Sequence, residues 1–150
     1  MIRRAVVLAA AVALLPAVSL AEERHPAIGY RQALMDLVYA NFGPIGAMVK
    51  GDIPWDDARV AGYGKDLKAI AGLNAMRGWP AGSEGGESLP EIWSKLDDFQ
   101  KKMETFQAEA RKLGDVTASG DREAIKAQFG ATGKACKSCH DNFKKKEDEG

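Results

Sequence analysis

Net charge, long apolar runs and strand-like alternation are all missing from this 150-residue chain. Its 21 Lys and Arg balance 21 Asp and Glu, which argues against nucleic acid or an anionic membrane surface as the main partner. No uncharged apolar stretch reaches the roughly 20 residues of a membrane span, so no membrane insertion is expected. There are no internal repeats. Gly62-Tyr63-Gly64 lacks the strand and further glycine of a dinucleotide fingerprint, and Gly133-Lys134 lacks the rest of a phosphate loop. No side chains are patterned for acid–base or nucleophilic chemistry, so no substrate turnover is implied and the chain is not read as an enzyme.

Cysteine and histidine are scarce too, two of each, yet three of these four residues fall together in Cys136-Lys137-Ser138-Cys139-His140. This C-x-x-C-H pentapeptide is the signature of covalent c-type haem attachment. The two thiols add to the haem vinyl groups as thioethers, and the imidazole of His140 ligates the iron. On a helix the three lie at i, i+3 and i+4 and project from one face. A thioredoxin-like pair would need a preceding strand and a helix N-terminus to lower the thiol pKa; here the motif lies about fifteen residues into a helical pattern. A structural zinc site needs four ligands, and only His25 remains as a further strong donor.

At the other end, Arg3 and Arg4 precede an uncharged apolar run over 5–18 and then Ser19-Leu20-Ala21. This reads as a secretory signal over 1–21, cleaved after Ala21. One domain of about 129 residues, 22–150, would remain, carrying about two net negative charges.

Within that domain the apolar residues recur at alternating steps of three and four in four segments. The first runs Ile28, Arg31, Met35, Val38, Phe42, Ile45, Val49 and closes at Gly51, with Pro44 expected to kink it. The second runs Val60, Tyr63, Leu67, Ile70, Asn74 behind Asp56 and Asp57, which suit its N-terminus. Residues 77–89 are rich in Gly, Pro, Ser and Glu and read as one long loop. Ser88 with Glu91 forms an expected capping box for the third segment, Ile92, Leu96, Phe99, Met103, Phe106, Ala110, Leu113. Asp121 opens the fourth: Ile125, Phe129, Thr132, Cys136, His140, Phe143. The predicted fold is all-α: an antiparallel up-down-up-down four-helix bundle with the haem in its core near the C-terminal helix. Lys144, Lys145 and Lys146, followed by Glu147-Asp148-Glu149, read as a solvated helix end. A docking patch for a redox partner is the functional alternative there.

With these residues assembled, the chain resembles the class II c-type cytochromes, cytochrome c′ in particular. The matching residues are Tyr30-Arg31-Gln32, Asn41-Phe42-Gly43, Lys50-Gly51, Gly82-Ser83-Glu84-Gly85-Gly86, Pro90-Glu91-Ile92-Trp93, and the haem motif with Asp141, Phe143 and Lys144. The likeness spans essentially the whole mature chain. It implies one covalently attached haem c, thioethers at Cys136 and Cys139, and His140 as the proximal iron ligand. Arg31, Gln32 and Glu87 match positions that contact the haem around its propionates, and Lys144 a basic position beside the proximal histidine. An Arg on an apolar seam independently calls for an anion, which a propionate would supply, or for a stem that snorkels to solvent.

Met35 matches the family's distal position, and two versions stay open. In one the thioether bonds the iron and gives a low-spin electron carrier. In the other it shields an open site that admits nitric oxide or carbon monoxide. The loop and third-helix motifs favour the open site, and a core-filling methionine would sit at the same position in either case. Met48, Met76 and Met103 fit less well as ligands. The implied function is periplasmic single-electron transfer with gas binding, against a rival in which gas binding is the sole role. The redox partner is not specified by the residues. The family likeness also implies homodimers through the first two helices.

Overall fold

The computed structural model describes residues 25–146; the expected signal segment over 1–21, the start at Glu22 and the Glu147-Asp148-Glu149 tail lie outside them. Helix α1 spans Pro26–Lys50. Pro26 has no N–H to leave unpaired at the first turn, and the His25 ring accepts a hydrogen bond from the Ala27 amide at 3.1 Å. His25 is thus exposed but works as a helix cap. The helix continues through Pro44 and stops at Gly51, whose φ of 82° suits a residue without a Cβ. Asp56 caps α2 (Asp57–Ile70) by accepting from the Arg59 amide at 2.9 Å.

A 3-10 turn (Ala75–Gly78) and a single-turn helix α3 (Glu91–Ser94) lead to α4 (Leu96–Thr117). Asp121 then caps α5 (Arg122–Phe143), accepting from the amides of Glu123 and Ala124. The inter-helix links run antiparallel. Between α2 and α4, Lys68 pairs with Asp115 while Arg111 donates to the Ala71 carbonyl. Between α4 and α5, Gln128 and Thr132 donate to the Glu109 carbonyl and Lys102 to the Ser138 hydroxyl. Ile45, Leu67, Ile92, Phe99, Leu113 and Ile125 are buried along the bundle axis, and each large apolar side chain so removed from water contributes about 1.5–3 kcal/mol.

The seams are borne out in outline and corrected in four details. Asn74 lies beyond the end of α2, where its carbonyl accepts from the Tyr30 hydroxyl at 2.9 Å. The third segment is not one helix: it breaks at Lys95 (φ −130°, ψ 45°), which turns Leu96 outward to 41% exposure. The Ser88–Glu91 capping box is absent. Ser88 is drawn instead into a backbone bridge with Lys144, and its hydroxyl accepts from the Trp79 indole at 3.2 Å. Finally, the long loop over 77–89 starts inside the 3-10 turn that ends at Gly78, and it buries Trp79 and Ser83.

Helices α2 and α4 cross in close contact at Gly64 and Gly114. A Cβ at Gly114 would come within 2.6 Å of the Gly64 carbonyl oxygen, and one at Gly64 would collide with Thr117. Gly64→Ala should therefore cost about 1–3 kcal/mol by overpacking. Gly130→Ala in α5 meets nothing within 4 Å and should gain up to about 1 kcal/mol from helix propensity. Urea unfolding of the two variants measures the contrast; equal effects would mean the crossing is looser than described.

Candidate haem site

Three helix pairs, α1–α2, α2–α4 and α4–α5, pack extensively, whereas α1 and α5 touch only sparsely. A cleft with two lobes fills that gap. The first, about 350 Å³, is lined on one side by Trp79, Phe99 and Phe143 and carries Arg31, Gln32, Glu87 and Lys144. The second, about 320 Å³, is walled by Val38, Phe42, Phe106 and Cys136. Met35, Asp36, Met103, Cys139 and His140 line both. Every candidate site residue from the sequence thus borders one or both of two adjoining lobes, each within the few hundred to about 1,000 Å³ typical of cofactor sites.

The aromatic wall is built by edge-on contacts, Trp79 to Phe99 at 4.8 Å and Phe99 to Phe143 at 5.3 Å between ring centres. Across the cleft, Phe42 of α1 stacks on Phe129 of α5 at 4.2 Å. That contact is allowed because Gly46 leaves room: a Cβ there would lie 2.7 Å from the Phe129 ring.

Cys136 and Cys139 are free and half-buried. Burial raises both thiols above the ordinary cysteine value, Cys139 to about 11. They are therefore protonated at neutral pH and far from the positive N-terminus of α5, the opposite of an activated redox pair. His140 moves the other way: desolvation first, then the Lys144 cation, lowers its pKa against the pull of Asp141 and Glu87. Its imidazole is neutral near pH 7, with a nitrogen lone pair available, and its ring has no hydrogen bond or ion pair among the described residues. No group of three or more His, Cys, Asp or Glu side chains is placed to hold a metal ion among the described residues. Two thiols and a neutral imidazole on one helix face, beside an apolar cleft with a polar end, suit a flat macrocycle with carboxylate-bearing edges.

Arg31 is 4% exposed, and its guanidinium is held by carbonyls of the loop. One guanidinium nitrogen donates to the carbonyls of Gly78 and Ser83, both at 2.9 Å, and the other to Gly85 at 2.7 Å. These carbonyl oxygens satisfy its donors where it is buried. Burial lowers its pKa and Glu84 opposes that shift. Gly78 makes the approach feasible, since a Cβ there would lie 2.8 Å from the Arg31 Cβ. The loop is also sewn to the end of α5. Lys144 pairs with Glu87 at 3.2 Å, the Lys145 amide donates to the Glu87 carbonyl, and the Leu89 amide to Phe143. Gln32 lies at the rim of the first lobe and is exposed.

Two cleft residues were not legible as such. Met103 sits on the third seam and was set aside in favour of Met35, yet it is buried and borders both lobes. Asp36 looks in sequence like any solvated helix carboxylate, and only the tertiary fold brings it to the cleft. Met48, by contrast, is core.

The chain is similar to known proteins. The family model described as Cytochrome C' matches residues 26–144. The cytochrome c' of Alcaligenes xylosoxydans xylosoxydans is 37% identical over 121 residues, covering 81% of this chain and 94% of the relative. The structure of cytochrome c prime from Shewanella frigidimarina superposes with a TM-score of 0.78 at 42% identity, over 83% of this chain and 98% of that one. A nitric oxide complex of a leucine-to-alanine mutant of the Alcaligenes xylosoxidans protein gives a TM-score of 0.75 at 36% identity, over 81% and 95%.

Proposed function

Because the chain belongs to the cytochrome c′ family, we propose that it is an exported, periplasmic haem c protein that transfers single electrons and keeps one iron position open to small neutral gases. One observation carries this reading: Cys136, Cys139 and His140 share the α5 side of a cofactor-sized cleft whose α1 side presents Met35. The bound nitric oxide named for a neighbouring structure is consistent with it. So is the lack, among the described residues, of any helix long and apolar enough to cross a membrane.

In this reading Cys136 and Cys139 hold the haem as thioethers and His140 ligates its iron. Haem iron supplies the reversible one-electron change and the coordination position for a diatomic gas. The Trp79, Phe99 and Phe143 wall excludes water. Burial, reinforced by the Lys144 cation, favours neutral His140, and Lys144 through Glu87 ties the loop against α5. Gln32 and Arg31 stand at the polar end, where propionates would lie. Met35 offers no hydrogen-bond donor, so it favours neutral ligands and obstructs them only by its bulk. Lys145 and Lys146 are exposed and suit an acidic redox partner. Exposed Leu37 and Tyr39 on α1 suit pairing of two copies through the first two helices.

The test is Met35→Ala. Carbon monoxide association with the reduced protein should accelerate about tenfold or more, with the resting spectrum nearly unchanged. A low-spin wild type that the same substitution turns high-spin would make Met35 the sixth ligand and the protein a dedicated electron carrier.

A further inference from the structure

The second lobe of the cleft has one carboxylate and no lysine or arginine. Asp36 lines both lobes beside Met35 and His140. Its carboxylate is exposed and has no hydrogen bond or ion pair among the described residues. Of the nearby cations, Lys144, paired with Glu87 at 3.2 Å, and Arg31, bonded to three loop carbonyls, line the first lobe alone, while Lys102 of α4 donates to Ser138 and acts on Cys139 from outside the lining of either lobe. The lining of the second lobe therefore carries a single charged side chain, the Asp36 carboxylate, next to low-dielectric walls made by Phe42, Phe106 and Val38. Low-dielectric walls direct part of the field of such a charge into the cleft, and solvent screens the rest.

We propose that Asp36 is a specificity-determining residue that repels anionic ligands from the Met35 side of the cleft while leaving neutral diatomic gases unaffected. This rests on the gas-binding reading and adds a charge filter to the steric one at Met35. A neutral gas has no monopole for the carboxylate to act on, whereas a monovalent anion must approach against it. Asp36 touches no reacting atom, so its effect is on entry and on the local potential.

The experiment uses the holoprotein with Asp36→Asn and, as a charge-conserving control, Asp36→Glu. Azide association with the oxidised protein and carbon monoxide association with the reduced protein are followed by stopped flow at low and high salt. In Asp36→Asn, azide should react about three- to tenfold faster at low salt, and the gain should shrink as salt is added. Carbon monoxide should stay within about twofold, and Asp36→Glu should match the wild type. The midpoint potential of Asp36→Asn should also rise, since a nearby anion no longer disfavours the added electron. Azide and carbon monoxide accelerating together would mark a steric effect and overturn the proposal, as would unchanged azide rates with an unchanged potential. If no protein binds carbon monoxide, the gas-binding reading fails, and a potential that still rises and responds to salt would leave Asp36 as a charge acting on the cleft but overturn its role as a gas filter.

Discussion

Replacing Cys136 and Cys139 together by serine is expected to leave little holoprotein and a chain of low helicity. The reason lies in the gap between α1 and α5. Those two helices meet sparsely, and the cleft between them has lobes of about 350 and 320 Å³. If the first lobe were an enclosed void, at about 24 cal/mol per Å³ it would cost about 8 kcal/mol. That is comparable to the entire stability of about 5–15 kcal/mol of a typical domain. Without the cofactor the lining of Trp79, Phe99, Met103 and Phe143 must flood or collapse, and either loses the packing that orients α5. A tightly held ligand contributes stability by linkage to the folded state, and a covalent one cannot dissociate. Far-UV circular dichroism and haem content of the double variant measure the effect. In the wild type, haem should stay with the protein in acidified organic solvent; free extraction would refute covalent attachment.

Arg31→Leu should be the most damaging single substitution at the polar end, lowering stability by about 3–5 kcal/mol. Leucine matches the apolar seam and removes the charge, yet it leaves the Gly78 and Ser83 carbonyls without the Arg31 donor in a buried region, while Gly85 keeps only a 3.4 Å bond from the Ser88 amide. Each such orphaned acceptor costs about 1–3 kcal/mol. Arg31→Lys should fall between, because one ammonium cannot reproduce the fork. Denaturant midpoints, together with protease cutting at residues 82–86, report the loss. The midpoint potential separates two roles. A folded variant with a loosened loop and an unaltered potential would make Arg31 a staple for the loop alone, whereas a lowered potential would add a propionate contact. A variant as stable and as protease-resistant as the wild type would contradict the staple.

Most of the fold was legible because its signals are local. Asp56, Gly51 and Asp121 mark helix ends in sequence and act as such in the structure, and the seam from Phe99 to Leu113 is buried as its spacing demands. What was not legible depends on contacts between distant residues. Ser88 carried a capping signature, but the bridge to Lys144, 56 positions further on, won over the local motif. Residues 77–89 have no periodicity, so nothing in them announces that Arg31 would gather their carbonyls and bury Ser83. The break at Lys95 falls in an unbroken apolar pattern, which is why Leu96 was misplaced. At the site, the pentapeptide specified Cys136, Cys139 and His140 by chemistry alone. Arg31, Gln32, Glu87, Lys144 and Met35 needed the family likeness, and Met103 and Asp36 needed the fold.

The most direct measurement is the visible absorption spectrum of the purified protein, oxidised and reduced, with and without carbon monoxide. Haem held by His140 on one side and only shielded by Met35 on the other predicts a high-spin, five-coordinate spectrum in both oxidation states and a clear shift when carbon monoxide is added to the reduced form. A low-spin spectrum with a weak charge-transfer band near the red end of the visible range, abolished by Met35→Ala and insensitive to carbon monoxide in the wild type, would contradict the open site.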